Sequence, residues 1–378
     1  METARLRWLK VFYEMIDLFG TGLIQVSTGL KVIHEMRISG KKLTSAVDQH
    51  RLRQVIMLLT IGFLILSLSS CNQVSKTKVL RLGHGLDVTH PVHKGMEYMA
   101  QQVDKKSDGQ LQVQIYPSEQ LGTERECLEM LQIGSLDITK VSAAIMEGFV
   151  PKFRVLGLPY LFRDKEHSHK VLDGEIGTEI LLSGQDYWLR GLTFYDAGSR
   201  SFYTIDQPIK EPSDLNGLKI RVMESITAVK MVNALGGSPT PISWGELYTS
   251  LQNGVVDGAE NNPPSFYLSH HYEVCNYYSL DEHTTIPDVL LISTHTWNEL
   301  TDDEKKWLNE AVEESLEVQR RYWNEGEQEA LREVKKAGVE IIRPDKEPFR
   351  KAVEGIYQFY EENNPELYDL ITRIRNVK

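Results

Sequence analysis

Apolar and polar residues alternate with a period of two at Leu111-Gln112-Val113-Gln114-Ile115-Tyr116, the pattern of a half-buried strand. Just upstream the period changes. Val92, Met96, Met99 and Val103 recur at helical spacing and predict a helix over 91–106, preceded by a strand over 79–84. The alternation continues along the chain. Helices are expected over 123–133, 225–235 and 244–253, the last closed by Gly254, a good C-cap residue. Short strands are expected over 136–139, 192–195, 218–222 and 289–293. Strands that alternate with helices predict an α/β architecture with largely parallel pairing.

Thr301-Asp302-Asp303-Glu304 is a capping box, with threonine at the N-cap and glutamate at N3. It opens a helical pattern that runs to Lys336, before Gly338. A helix of about 35 residues is roughly 50 Å long, too long for one small domain. It is expected to be continuous and to span two domains. The alternative is a break at Asn324-Glu325-Gly326.

The first seventy residues read as processing rather than fold. Residues 55–66 form an uncharged apolar run behind Arg51 and Arg53, ending in Leu68-Ser69-Ser70-Cys71-Asn72. A basic start, a short apolar run and small residues before a cysteine are the features of a bacterial lipoprotein signal over 51–71, with Cys71 as the lipidated residue. The run is too short for a membrane span, which needs about 20 apolar residues. Residues 1–50 have no periodic plan and read as a non-native or unstructured extension.

Charge and cysteines narrow the function. Residues 71–378 carry 33 Lys and Arg against 48 Asp and Glu, a net charge of −15. That excludes a nucleic-acid partner, which needs a basic face. It suits a soluble protein of the cell envelope. Cys127 and Cys275 stand far apart, in no metal-like spacing, and read as buried thiols. The remaining 308 residues are long for one core, so two domains are expected. No Gly-x-Ser-x-Gly elbow, His-Glu-x-x-His, P-loop or Gly-x-Gly-x-x-Gly after a strand is present, so no enzyme class is indicated.

Three segments carry the candidate chemistry: Ala197-Gly198-Ser199-Arg200, Gly217-Leu218-Lys219-Ile220-Arg221-Val222 and Asp257-Gly258-Ala259-Glu260-Asn261-Asn262-Pro263. With Tyr116-Pro117-Ser118-Glu119-Gln120-Leu121-Gly122, Gly134-Ser135-Leu136-Asp137-Ile138, Leu158-Pro159-Tyr160-Leu161-Phe162 and Glu246-Leu247-Tyr248-Thr249-Ser250-Leu251-Gln252-Asn253-Gly254, they occur in the order of one family. Over about 78–360 the chain resembles the DctP-type solute-binding subunits of TRAP transporters.

The resemblance implies an α/β, two-domain, type II periplasmic-binding-protein-like fold with a long domain-spanning helix. Domain I would comprise 77–197 plus 288–326, and domain II 198–287 plus 327–378. A ligand would bind in the cleft between them and favour closure about a hinge. Arg221 matches the family's carboxylate-binding arginine, whose planar fork grips a carboxylate with two parallel hydrogen bonds. Arg200 matches a second arginine, and Asn261 a site amide doubled here by Asn262. Trp244 falls where the family places a ring beside the ligand. Glu224 would accept hydrogen bonds from ligand hydroxyls. His283 and His90 are expected in loops facing the cleft. Ser142 stands where sialic-acid binders tend to have a glutamate, which argues against sialic acid. The polar inventory suits a hexuronate such as glucuronate or galacturonate; a C4-dicarboxylate, a keto acid or sialic acid are the alternatives. The implied partners are the small organic acid, the TRAP membrane permease and the membrane, through lipid on Cys71. No catalytic residue, metal or cofactor is implied.

Overall fold

The computed structural model describes residues 77–378, together with Met57 and Thr60. Apart from those two residues, the expected extension at 1–50 and the lipoprotein signal at 51–71, Cys71 included, lie outside the described residues.

The strands are β1 (Lys78–Gly83), β2 (Leu111–Tyr116), β3 (Ile138–Ser142), β4 (Leu189–Tyr195), β5 (Ser199–Thr204), β6 (Lys219–Val222), β7 (Ser238–Pro241), β8 (Gly258–Asn261), β9 (Tyr277–Thr285), β10 (Asp288–Ser293) and β11 (Glu340–Ile342). They form two sheets, in the orders β2-β1-β3-β10-β4 and β11-β9-β5-β8-β6-β7. The helices between β1 and β4 are α1 (Pro91–Lys106), α2 (Glu124–Gln132), α3 (Ala143–Met146), α4 (Lys165–Leu172) and α5 (Glu175–Leu182). Those between β6 and β9 are α6 (Ile226–Ala234), α7 (Leu247–Gln252) and α8 (Pro263–Leu268). After β10 come α9 (Thr294–Glu299), α10 (Asp302–Lys336), α11 (Glu347–Ala352), α12 (Glu354–Asn363) and α13 (Pro365–Asn376).

Pairing is mixed, where the alternation of strands and helices predicts mainly parallel sheets. β1 runs parallel to β2 and β3, and β6 to β7 and β8. β10 is antiparallel to β3 and β4, and β5 to β8 and β9. The cause is how the chain changes sheets. It passes straight from β4 into β5 through residues 196–198 and returns from β9 into β10 through Ile286 and Pro287. A direct passage needs no crossover helix, so the outgoing and returning legs run in opposite directions.

α10 is one continuous helix of 35 residues. Thr301 Oγ1 accepts from the Glu304 amide at 3.2 Å, and the Glu304 carboxylate accepts from the Thr301 amide at 2.8 Å, as the capping box predicts. Gly326 does not break it. A Cβ there would sit 2.8 Å from Pro91 Cγ, so the glycine serves a close approach of α10 to the start of α1. One turn earlier, Trp323 is fully buried against Gly198 of the first passage between sheets, where φ is +58°. A Cβ at Gly198 would lie 2.9 Å from Trp323 Nε1. Gln319 clamps the same passage, accepting from the Asp196 amide at 3.0 Å and donating to its carbonyl at 2.8 Å. The long helix therefore holds the passage that leads to the cleft.

Three elements differ from the pattern by more than one residue; β4 begins at Leu189 rather than at 192. The strand expected at 136–139 lies at Ile138–Ser142, because Leu136 still closes α2 by donating to Met130 O and the Asp137 carboxylate accepts from the Arg81 amide. The helix expected from 244 begins at Leu247; Trp244 stays in the preceding turn, where Ser243 donates to Glu246 at 2.6 Å. Cys127 and Cys275 are buried free thiols, as expected. Among the described residues no helix is long and apolar enough to cross a membrane.

Candidate ligand-binding site

A cleft of about 70 Å³ opens where the chain passes between the sheets, lined by Ala197 from the first passage, Ile286 from the second and Asp288 at the start of β10. A single water needs about 10–15 Å³ on such a measure, so a compact polar ligand is within its scale. Arg221 and Asn261 sit near the carboxyl ends of parallel β6 and β8, the usual location of ligands in open α/β sheets.

Arg221 is 2 % exposed. Its Nε donates to Ile242 O at 2.8 Å, but Nη1 is buried with no partner, and the side chain makes no ion pair among the described residues. Burial pulls its pKa down, so the protein itself resists the charge it carries there. Trp244, half-buried, lies with its ring 6.0 Å from the guanidinium and packs edge-on against His271 at 5.3 Å. Burial and then the Arg221 charge push His271 down to about 3, so it stays neutral beside the arginine. Its Nδ1 is 2.9 Å from the Tyr203 hydroxyl, which fixes the ring under the tryptophan.

Arg200 is the opposite case. It donates from Nε to Glu260 Oε2 at 2.5 Å, from Nη2 to Glu260 Oε1 at 2.9 Å and to the Glu260 carbonyl at 2.7 Å, and from Nη1 to Asn261 Oδ1 at 2.7 Å. Behind it, His283 lies between Glu260, at 3.4 Å, and Asp281, at 2.8 Å. Burial opposes charge on His283, yet the charge of Asp281 and bonds to both carboxylates raise it to about 9. Burial likewise opposes charge on Glu260, but Arg200 and His283 lower it to about 2. Arg200, Glu260, His283 and Asp281 thus form a buried quartet with two positive and two negative charges.

The quartet positions the amides. Asn261 Oδ1 is taken by Arg200 and by the Asn262 amide at 2.9 Å. Asn262 Oδ1 caps α8, accepting from the Ser265 amide at 2.9 Å. Both side-chain oxygens are occupied locally, which leaves both Nδ2 groups, on residues lining the cleft, as donors without a partner among the described residues. The opposite wall is acidic. Lys140, 2 % exposed, donates to Glu124 Oε1 at 3.1 Å and to Asp288 Oδ1 at 3.2 Å. Burial pushes Asp288 up to about 6, against the pull of Lys140 and with the push of Glu124. At the mouth, the Glu119 carboxylate accepts from the Gly245 amide at 3.3 Å and joins the two walls.

The family model for bacterial extracellular solute-binding proteins, family 7 (DctP), matches residues 82–363. The chain belongs to the DctP family of TRAP solute-binding proteins. It is 42 % identical over 302 residues to an uncharacterised Salmonella typhimurium protein, covering 79 % of this chain and 92 % of that one. A TRAP periplasmic solute-binding protein of Xanthobacter autotrophicus with bound β-D-galacturonate superposes with a TM-score of 0.76 at 39 % identity, over 79 % of this chain and all of that one. One from Chromohalobacter salexigens with bound D-glucuronate gives 0.77 at 35 %, with the same coverage. The fold is therefore the two-domain binding-protein fold with α10 as its long helix, and the protein is an extracytoplasmic solute-binding component of TRAP transport.

In this DctP protein the structure brings six of the eight expected site residues together. Arg221, Arg200, Asn261, Asn262, Trp244 and Glu224 line one cleft. The two histidines are placed differently from expectation. His283 is in β9, 0 % exposed, and acts behind Arg200 rather than in a loop facing the cleft. His90 is the N-cap of α1; its Nδ1 accepts from the Val92 amide and its Nε2 lies 3.3 Å from Oγ of Ser265, so it stands behind a lining residue rather than in the lining itself. Sequence reasoning missed Lys140, Glu124, Asp288 and Glu119. The available signal was Lys140 itself, a lysine within the strand Ile138-Thr139-Lys140-Val141, all of it buried.

Proposed function

We propose that the protein captures a hexuronate, such as galacturonate or glucuronate, and delivers it unchanged to the TRAP membrane permease. The observation that carries this reading is the buried Arg221 guanidinium, with Nη1 unpartnered, at the cleft. A buried cation without a partner is costly unless a ligand supplies the counter-charge. A ligand carboxylate on Arg221, with the free amides of Asn261 and Asn262 beside it, satisfies all three. Trp244 offers a flat apolar face to a sugar ring. The bound hexuronates of the two solved relatives point to the same class.

In this reading domain I is 77–197 plus 288–326 and domain II is 198–287 plus 327–378. The strands of the first sheet all fall in the former range and those of the second in the latter, which supports the division. Closure about the two passages brings the walls onto the ligand. Nothing in the cleft calls for a catalytic role, and the protein acts as a carrier. Cys71 tethers it to the envelope by lipid, so it is expected in the detergent-soluble membrane fraction and, after Cys71→Ser, in the soluble one.

The test is a thermal-shift screen of the purified, ligand-stripped protein. A ligand at 100 times its dissociation constant stabilises by about 2.7 kcal/mol, a shift of several degrees. Galacturonate or glucuronate is expected to give that shift. A shift with succinate and none with either hexuronate would discard the reading.

A further inference from the structure

The two walls of the cleft differ in kind. The unengaged groups of Arg221, Asn261 and Asn262 are all donors. On the facing wall Glu124 and Asp288 each commit one oxygen to Lys140, and Glu124 Oε1 also accepts from the Ser142 amide at 3.2 Å. Their second oxygens, Glu124 Oε2 and Asp288 Oδ2, make no hydrogen bond among the described residues and are not sealed from the cleft that both residues line. Lys140 neutralises only one of the two carboxylates, so the three side chains carry a net charge of −1. Arg125 also lines the cleft, but its guanidinium is engaged by Glu129 at 3.2 Å and the Phe149 ring at 5.2 Å. Glu224 adds a further carboxylate to the lining, with no ion pair among the described residues.

We propose that Glu124, Lys140 and Asp288 form a charge filter, which accepts the hydroxyls of a monocarboxylic sugar acid and refuses a second carboxylate. The inference rests on Arg221 holding the ligand's carboxylate. With that end fixed, the far end of the ligand meets two carboxylate oxygens held in place by Lys140. A hydroxyl there donates to an ionised acceptor, which makes a strong hydrogen bond. A carboxylate there has no proton to donate, and like charges face one another in a partly desolvated space. Lys140 keeps the two acids close together and prevents them from swinging away to relieve the repulsion. Burial first, and the Glu124 charge after it, raise Asp288, so the wall already disfavours added negative charge.

The test is calorimetric titration of the purified protein with D-galacturonate, D-galactonate and galactarate. Galactonate and galactarate differ only in the terminal group, a hydroxymethyl against a carboxylate. Wild type is expected to bind galacturonate best and to prefer galactonate over galactarate by at least tenfold. Asp288→Asn and Glu124→Gln should each weaken galacturonate and narrow the galactonate-to-galactarate gap about tenfold. Galactarate binding as tightly as galactonate in wild type overturns the filter, and so does a gap that both variants leave unchanged. If a variant does not fold, the wild-type ratio still decides. Galactonate preferred over galactarate, with galacturonate no better than either, supports the filter while discarding the hexuronate. Tight binding of succinate alone discards both.

Discussion

Arg221→Ala is expected to weaken hexuronate binding by about two to three orders of magnitude without lowering the melting temperature of the ligand-free protein. Removing one partner of a desolvated, hydrogen-bonded charge pair costs about 2–5 kcal/mol, most of it seen as faster dissociation. Ordinarily such a truncation also damages the fold. Here the cation has no ion-pair partner among the described residues, its Nη1 is buried without a bond, and burial already acts against its charge. Among the described residues the one hydrogen bond of the side chain that is lost is Nε to Ile242 O, worth about 1 kcal/mol. Relief of the desolvated charge offsets it. Arg221→Lys should fall between the two, since it keeps a charge but loses the planar fork. Calorimetry reads the affinity and differential scanning the fold. A ligand-free melting temperature several degrees lower would mean that Arg221 is a structural residue.

Much of the scaffold was legible because its determinants are local. The capping box of α10 involves residues three apart, and the strand at 111–116 is written in a period of two. The mixed pairing was not legible, because it follows from the chain changing sheets without a helix, and the periods within each strand do not record that. The site shows the same division. Arg200 and Arg221 look alike in sequence, each a basic residue in a short strand. Their roles part company only in three dimensions. The antiparallel register of β5 and β8 sets Phe202 opposite Glu260 and Ser201 opposite Asn261, which brings an acid and an amide to Arg200. Arg221, in register with Ala259 on one side and Thr240 on the other, forms no ion pair among the described residues. His283 reads as a loop residue because Asp281-Glu282-His283 is polar, yet β9 carries it into the core, where paired charges replace water. Lys140 finds its partners 16 and 148 residues away, a separation that no local pattern encodes.

Glu260→Ala should destabilise the protein by about 3–5 kcal/mol and abolish binding, the reverse of Arg221→Ala in its effect on the fold. Breaking a buried ion pair from one side leaves an uncompensated charge, which is where that magnitude arises. Without Glu260, His283 keeps only Asp281, Arg200 loses its bonded carboxylate and feels only the unbonded charge of Asp288, and the anchoring of Asn261 by Arg200 is weakened. Glu260→Gln is the sharper variant, because it keeps the shape and removes only the charge. In wild type the folded pKa of His283, about 9, lies above its unfolded value near 6.5. That contribution is full below about 6.5 and is lost as pH rises through 9. Glu260, lowered to about 2, contributes fully above its unfolded range near 4.5 and loses this as pH falls through 2. In Glu260→Gln the second carboxylate that favours charged His283 is gone, so His283 can shed its proton and restore neutrality between Arg200 and Asp281. The penalty of the substitution should therefore be largest near pH 6 and smaller near pH 9, where wild type has given up its own His283 contribution. Denaturant unfolding of both proteins at the two pH values measures this difference. An equal penalty at both would mean that His283 is neutral in the native protein, and that the quartet is a single Arg200–Glu260 pair with a histidine beside it.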